Sequence, residues 1–147
     1  MGERFLTAQR KRWLAAWAPA LLWMLLVFAL SSIPDVPERQ GLPHARSRAL
    51  DDRVREVAHV VEYGVLAGLL WRAWAPGRSI HAATLGAAGL SLVYALSDEL
   101  HQSLVPGRTC SIQDGLVDAL GIALALLLIV ACRRHTSSPA ASAPDCR

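Results

Sequence analysis

Motifs that would identify a metal, redox or nucleophile site are missing from this chain of 147 residues. The three cysteines, Cys110, Cys132 and Cys146, include no CxxC pair, and no HExxH motif is present. The serines also lack the surroundings of a catalytic triad. The sequence therefore predicts no metal and no cofactor, and it assigns no catalytic residue.

Lysine is almost absent, since fourteen of the fifteen basic residues are arginine. The basic residues flank apolar runs and form no stripe with interleaved aromatic residues, so a pI near 9.1 does not indicate nucleic-acid binding. What the chain has in abundance is apolar residues, which make up 53% of it and give a mean hydropathy of +0.31. This composition favours a membrane protein that forms one compact unit.

Four apolar stretches are each long enough, or nearly so, to cross a bilayer as a helix, which takes roughly 17–25 residues. They are Trp13–Ser31, Val57–Trp74, Ile80–Leu96 and Leu116–Cys132. The sequence therefore predicts an all-α fold, a four-helix transmembrane bundle, over residues 13–134. A basic cytoplasmic stub, residues 1–12, precedes the bundle, and a Ser/Ala/Pro-rich cytoplasmic tail, residues 135–147, is expected to be disordered.

The positions of the basic residues predict the orientation of the bundle. Positions 10–12 precede the first stretch, and positions 133–134 follow the last. Positions 72 and 78 lie on either side of the turn between the second and third stretches. The positive-inside rule then puts both termini of a multi-pass protein in the cytoplasm. A cleaved signal peptide ending near Ser31 is the alternative for the first stretch, but the run is long and contains Trp17 and Trp23, which favours an uncleaved helix.

Turn and capping signals separate the predicted helices. Pro76-Gly77 and Pro106-Gly107 predict tight turns before and after the third helix. Asp51 or Asp52 is expected to cap the second helix, and Ser111 with Asp114 has the pattern of a capping box at the start of the fourth. Small residues at four-residue spacing predict close packing of the third helix, namely Ala83, Ala87, Ser91 and Ala95.

Polar residues that the bilayer disfavours gather at one end of the predicted bundle, its outer end. On the second, third and fourth helices they lie three, four or seven residues apart, so each helix presents them on one face. Ionisable groups inside a membrane are unfavourable and usually functional, so these faces predict an outward-facing polar pocket. The candidate ligand-binding residues are His59, Glu62, Tyr63, Asp98, Glu99, His101, Gln102, Arg108, Asp114 and Asp118.

A purely structural role is an open alternative for most of these residues. His59 and Glu62 can pair with polar residues of the third helix simply to hold helices together. Asp114 has the position of a helix cap, and Arg108 can extend to lipid phosphates. Asp118 lacks such an explanation, because a carboxyl group about one turn into a membrane helix needs a partner, a proton or water.

One segment resembles a known family. The string Ser97-Asp98-Glu99-Leu100-His101-Gln102-Ser103-Leu104-Val105-Pro106-Gly107-Arg108, followed by Ser111 and Asp114, is similar to the signature of the VanZ-like membrane proteins. Ser31-Ser32-Ile33-Pro34, and Asp52-Arg53 with His59, Tyr63 and Leu66, also match that family, and the resemblance covers roughly residues 15–130. It implies a small multi-pass protein of the bacterial plasma membrane and cell envelope. The founding member is linked to resistance to a glycopeptide antibiotic of the teicoplanin type.

Two positions depart from the family pattern. Arg53 stands where the family usually has lysine, and Asp118 stands where it often has asparagine. Arg53 keeps the charge. Asp118 adds an acid, so a family role for that position is not carried over to it directly.

The sequence favours a non-enzymatic envelope protein whose pocket binds a polar headgroup, an envelope precursor or a partner membrane protein and influences glycopeptide susceptibility. The alternative is an intramembrane enzyme acting on a lipid-linked substrate, with His59 or His101 as acid/base, a carboxylate orienting it, and Arg108 holding phosphate. A metal site formed by histidine and acidic residues ranks last. A transporter is disfavoured for so few helices unless the chain forms a homo-oligomer, which stays open. Membrane lipid is an expected partner, and nucleic acid is not.

Overall fold

The computed structural model describes residues 2–34, 45–108 and 111–136, which form helices and short connections without a β-strand. The helices are α1 (Gly2–Ser31), α2 (Ala45–Trp74), α3 (Ile80–Gln102) and α4 (Ile112–Thr136). The prediction of an all-α bundle is confirmed. Residues 35–44, Cys110, and the part of the predicted tail that follows Thr136 lie outside the described residues.

Three helices begin earlier than their apolar stretches, and α4 does so by only four residues, at Ile112 instead of Leu116. α1 begins at Gly2, so the basic residues at positions 10–12 belong to the same helix as the apolar stretch that follows them. α2 begins at Ala45, so Asp51 and Asp52 lie inside it, and the expectation that one of them caps this helix is wrong. The segment from Ala45 is rich in alanine, arginine and leucine, which have high helix propensity and extend the helix beyond the local capping signal.

The predicted turns and the remaining caps are present. Gly77 and Gly107 have φ values of +74° and +82°, in the left-handed region that glycine adopts without steric cost. The Ser79 side chain caps α3 by accepting the Ala82 N–H at 3.2 Å. The Ser111 hydroxyl accepts the Asp114 N–H at 3.4 Å at the start of α4, so the serine half of the predicted capping box is formed.

Three of the four helices are long and apolar enough to cross a membrane, namely Gln9–Ser31, Ile80–Gln102 and Ile112–Thr136. α2 is not one of them, because His59, Glu62 and Arg72 lower the mean hydropathy of Val57–Trp74. The position of α2 accounts for these polar residues, since α2 packs against α1, α3 and α4. A helix that other helices cover can contain polar groups that a lipid-facing helix excludes.

Small residues bring the helices close together, as their spacing predicts. Ala83, Ala87 and Ser91 of α3 are completely buried, which confirms that this face is packed. α2 and α4 approach still more closely, at Gly121. A Cβ atom added there would collide with the backbone carbonyl oxygen of Val60 and lie 2.9 Å from its Cα atom. This contact between backbones holds the polar residues of the two helices at the same depth.

Candidate functional site

All the acidic residues whose side chains the structure describes lie in one half of the bundle. This half comprises the first part of α2, the last turns of α3 and the first turns of α4, and we call it the acidic end. Its acidic residues are Glu56, Glu62, Asp98, Glu99, Asp114 and Asp118. The last turn of α1, with Ser31, also contacts it.

Asp98 joins three helices through one of its carboxylate oxygens. Oδ2 of Asp98 accepts hydrogen bonds from the Ser31 hydroxyl of α1 at 2.9 Å, the Tyr63 hydroxyl of α2 at 3.0 Å and Nε2 of Gln102 at 2.8 Å. Asp98 is only 3% exposed. Gln102 also donates to the Ser31 hydroxyl at 3.3 Å, which closes the network. Such a set of buried bonds fixes the relative positions of α1, α2 and α3.

Asp118 has the partner that its position requires. Nδ1 of His59 lies 2.8 Å from Oδ1 of Asp118, and both side chains are buried, so this pair links α2 to α4. When Asp118 is ionised it only accepts hydrogen bonds, so Nδ1 of His59 is then the donor of this bond. The rings of His59 and Tyr63 stack with centroids 6.3 Å apart, which places the His59–Asp118 pair beside the Asp98 network.

His101 contacts α1 rather than the other candidate residues. Its Nε2 lies 3.0 Å from the Ser32 hydroxyl, and its ring stacks on Phe28 at 4.3 Å between centroids. Glu62 is half-buried, and its backbone carbonyl oxygen accepts the indole N–H of Trp23 at 2.9 Å. The structure therefore pairs His59 with Asp118, while His101 has its hydrogen bond and its ring contact on α1.

The loop between α3 and α4 is tied to the same end. Oε2 of Glu99 accepts the backbone N–H of Ser111 at 3.0 Å, and Glu99 is buried. Asp114 lies in the first turn of α4, where its backbone N–H bonds to Ser111. Arg108 follows Gly107 in this loop and is half-buried.

Several buried polar atoms of the acidic end have no hydrogen-bond partner among the described residues. They are Oδ1 of Asp98, Oε1 of Glu99, Oε1 of Gln102, Oδ2 of Asp118 and Nε of Arg108. Buried polar atoms in proteins are nearly always hydrogen-bonded, so each of these atoms needs an explanation. Four of them are acceptors and one is a donor. A molecule that satisfied all five atoms would have to donate several hydrogen bonds and accept one.

The sequence did not assign a site role to the end of α1. Ser31, Ser32 and Phe28 supply partners for Asp98 and His101, yet the sequence singled out the two serines only as the end of the first stretch and as part of the family resemblance. One sequence feature could have indicated this role. The two serine hydroxyl groups follow the first apolar stretch, so they lie at the same level of the bundle as Asp98. Among the described residues, no three histidine, cysteine, aspartate or glutamate side chains are grouped to hold a metal ion.

Apolar helices of membrane length, joined by a buried network of polar side chains, define a helical membrane protein. The family model VanZ/LLP1 matches residues 16–133, and the chain belongs to this family. The family resemblance of the Asp98–Arg108 string is thereby confirmed. Neither a curated protein nor a solved structure matches the chain.

Proposed function

We propose that the acidic end is a ligand-binding site, open to the outer side, in a multi-pass protein of the bacterial plasma membrane. The observation that carries the proposal is the group of five buried atoms without a partner among the described residues. An unsatisfied buried polar group costs about 1–3 kcal/mol. A ligand that supplies the missing partners therefore recovers free energy that the protein alone forgoes.

The chemistry of these atoms indicates the class of ligand. Asp98, Glu99 and Asp118 each offer a carboxylate oxygen, and Gln102 offers an amide oxygen, so the ligand carries ammonium, hydroxyl or amide donors. The guanidinium group of Arg108 suits a phosphate or carboxylate. A zwitterionic lipid headgroup and a lipid-linked envelope precursor both combine such groups. A partner membrane protein with an exposed basic side chain would supply the same kind of hydrogen-bond donor.

Membership of the VanZ/LLP1 family supports a role in the cell envelope. Glycopeptide antibiotics act outside the plasma membrane, on envelope precursors. A protein that holds such a precursor at the outer surface would change how much of it the antibiotic reaches. We therefore propose that this chain influences glycopeptide susceptibility through binding, without catalysing a reaction.

One contact favours a second candidate function, an intramembrane enzyme acting on a lipid-linked substrate. His59 is held by Asp118 through Nδ1, which leaves Nε2 to exchange a proton with a bound molecule. A histidine oriented by a carboxylate is a common acid/base arrangement. If the pair is catalytic, a His59→Gln variant purified from cells will carry a substrate whose mass differs from that of the molecule on the wild-type chain. If the site only binds, the two masses will be equal.

Arg108→Lys is the main test of the binding site. Lysine keeps the charge but loses the planar fork that holds phosphate or carboxylate. In a glycopeptide-sensitive host, the wild-type chain should lower susceptibility to teicoplanin and retain a lipid or precursor detectable by mass spectrometry after gentle purification. Arg108→Lys should lose both at normal abundance and melting temperature. Arg55→Lys, at the same end but without an unpartnered buried nitrogen, is the matched control and should retain both.

His101→Gln tests whether the contact with α1 matters beyond stability. Glutamine keeps hydrogen bonding opposite Ser32 and loses the ring that stacks on Phe28. If His101 serves the ligand, activity will disappear while abundance and membrane insertion survive. If activity in this variant and in Arg108→Lys falls only in step with abundance, the residues are a structural clasp and the proposed site is wrong.

A further inference from the structure

The unpartnered oxygens of the acidic end are enclosed by the protein. Oδ1 of Asp98 and Oε1 of Gln102 have no hydrogen-bond partner among the described residues, yet Asp98 is only 3% exposed and Gln102 is completely buried. A ligand therefore reaches these two oxygens only after an element of the bundle has moved. The contacts around Asp98 and Gln102 indicate which element moves.

α1 is the helix with the narrowest attachment to the bundle. Among the described residues it contacts α2 and α3 but not α4. In its outer part, residues 20–31, only Ala20, Val27 and Ser31 are buried. The large apolar residues of this part are mostly exposed, namely Leu21, Leu22, Leu25, Leu26, Phe28 and Leu30. The outer part of α1 can therefore move without disturbing the contact between α2 and α4.

Pro19 provides a point at which α1 can bend. Proline has no backbone N–H, so the carbonyl oxygen of Ala15 lacks the bond that a regular helix would give it. Nη2 of Arg72 donates to this oxygen at 3.3 Å and to that of Ala16 at 3.1 Å. Sharp bends in helices occur mostly at proline. The part of α1 before Pro19 is thus bonded to α2, and the outer part begins at the bend.

The end of this outer part bonds to the same two side chains whose other oxygens lack a partner. The Ser31 hydroxyl donates to Oδ2 of Asp98 at 2.9 Å and accepts from Nε2 of Gln102 at 3.3 Å. Without Ser31, Oδ2 of Asp98 still accepts hydrogen bonds from Tyr63 and Gln102, which hold the carboxylate in place. A donor from a ligand can therefore replace the Ser31 hydroxyl while α2 and α3 stay where they are.

We propose that the outer part of α1 is a gate over the acidic end, which Ser31 holds closed in this structure. A ligand with N–H donors competes with the Ser31 hydroxyl for Asp98 and Gln102, and α1 bends at Pro19 as the ligand enters. Because α1 lies at the edge of the bundle, this movement opens the site sideways, toward the bilayer. The gate rests on the function proposed for the acidic end, since it controls access to the same atoms.

Ser31→Ala tests the competition by the sign of its effect. Delipidated full-length protein in detergent is titrated with phosphatidylethanolamine, whose ammonium group donates hydrogen bonds, and binding is measured by native mass spectrometry. Removal of the competing hydroxyl should tighten binding roughly fivefold, the factor that one hydrogen bond is worth. The melting temperature should fall, because the two bonds of Ser31 are lost. If Ser31 had only a structural role, binding would weaken together with stability.

Ser97→Ala is the matched control variant. Ser97 immediately precedes Asp98, but its hydroxyl donates to the carbonyl oxygen of Tyr94 at 2.7 Å, outside the network. The affinity should be unchanged in this variant. Phosphatidylcholine is the control lipid, since its quaternary ammonium has no N–H donor and its affinity should not respond to Ser31→Ala. An equal gain for both lipids would mean that Ser31→Ala merely loosens the bundle, and the gate would be wrong.

Crosslinks on either side of Pro19 test the movement itself. In a chain without its native cysteines, a reducible bifunctional reagent joins Met24→Cys to Tyr94→Cys, because the Tyr94 hydroxyl donates to the Met24 carbonyl oxygen. This crosslink holds the outer part of α1 on α3 and should abolish phosphatidylethanolamine binding, which reduction should restore. A crosslink between Trp17→Cys and Trp74→Cys, whose native rings lie 5.7 Å apart, precedes Pro19 and should leave binding unchanged.

The outcomes separate the gate from the site that it covers. Binding that persists after the crosslink between α1 and α3, or that weakens in Ser31→Ala, overturns the gate and leaves the ligand site standing. If phosphatidylethanolamine binds neither the wild-type chain nor Ser31→Ala, the acidic end does not bind such a headgroup, and the gate is overturned with it.

Discussion

At the scale of single residues, the two carboxylate oxygens of one side chain in the acidic end differ in whether they have a hydrogen-bond partner. Oδ2 of Asp98 accepts three hydrogen bonds from three residues, whereas Oδ1 has no partner among the described residues. Asp118 shows the same division, with Oδ1 on His59 and Oδ2 unpaired. The same side chain can therefore both join helices and bind a ligand, because one carboxylate oxygen bonds to the neighbouring helices and the other has no partner among the described residues.

The His59–Asp118 pair provides a prediction that separates charge from hydrogen bonding. His59→Leu removes the only described partner of a buried carboxylate, and breaking such a pair costs about 3–5 kcal/mol. Asp118→Asn keeps an oxygen opposite Nδ1 and places at this position the residue that VanZ-like proteins often have. It should therefore cost about 1 kcal/mol, as for one ordinary hydrogen bond. Thermal or denaturant unfolding in detergent measures both losses.

The double variant, His59→Leu with Asp118→Asn, provides the control for this prediction. Neutralising the carboxylate should restore part of the stability lost in His59→Leu, since the buried charge is then gone. Additive losses would show that the two side chains do not interact energetically, despite the 2.8 Å between them.

Helical spacing predicted which residues face the interior, but it could not predict their partners. His59, Asp98 and Asp118 are all buried, as their rows on α2, α3 and α4 imply. His101 follows Asp98 by three residues, which turns it about 60° around the helix axis. That rotation is enough to direct His101 to Phe28 and Ser32. Which residues His101 contacts is decided only by the packing of α1 against α3.

At the scale of helices, α2 is the element that organises the bundle. It contacts every other helix, and it carries the partners of both Asp98 and Asp118. Hydropathy alone ranks it lowest for crossing a membrane, because hydropathy does not distinguish a lipid-facing side chain from one covered by protein. Its exposed Val57 and Val61 are apolar, whereas its polar His59 is buried, which is the distribution of a helix with one lipid-facing side.

Gly121→Ala tests the close contact between α2 and α4. The added methyl group would collide with the Val60 backbone, which cannot rotate away as a side chain can, so the helices must separate. Overpacking of this kind costs about 1–3 kcal/mol. We expect a lower melting temperature and, because the shift moves Asp118 away from His59, weaker binding at the acidic end.

Gly68→Ala is the matched control on α2, since a Cβ atom there would meet nothing within 4 Å. Removing a glycine from a helix interior stabilises it by roughly 0.5–1 kcal/mol, so this variant should be neutral or slightly more stable. An equal loss of stability in both variants would mean that backbone contact at Gly121 is not what the methyl group disturbs.

At the scale of the whole molecule, the described acidic side chains are confined to one end of the bundle, whereas basic side chains lie at both ends. Described acidic side chains occupy one end, and Arg72, Arg78, Arg133 and Arg134 occupy the other. This distribution is consistent with arginines anchored on the cytoplasmic side. The sequence predicted that the polar residues gather at one end, because their positions along the bundle follow from helix order alone. It could not predict the cavity of about 460 Å³ that lies between the ends of α2 and α4 and the start of α3, because that cavity depends on how these ends meet.

Reporter fusions test the orientation on which the outward-facing site depends. In a Gram-negative host, a reporter active only in the periplasm should be active when fused after Gly41 or Gly107 and silent after Gly77. The arginines beside Gly77 and at the start of α1 should stay in the cytoplasm. The experiment also decides whether α2 crosses the membrane, because α2 alone among the described helices is not apolar enough by composition to be assigned as a span. Equal activity after Gly41 and Gly77 would mean that α2 does not cross. The reverse pattern would put the acidic end in the cytoplasm, where it could not meet an envelope precursor on the outer surface.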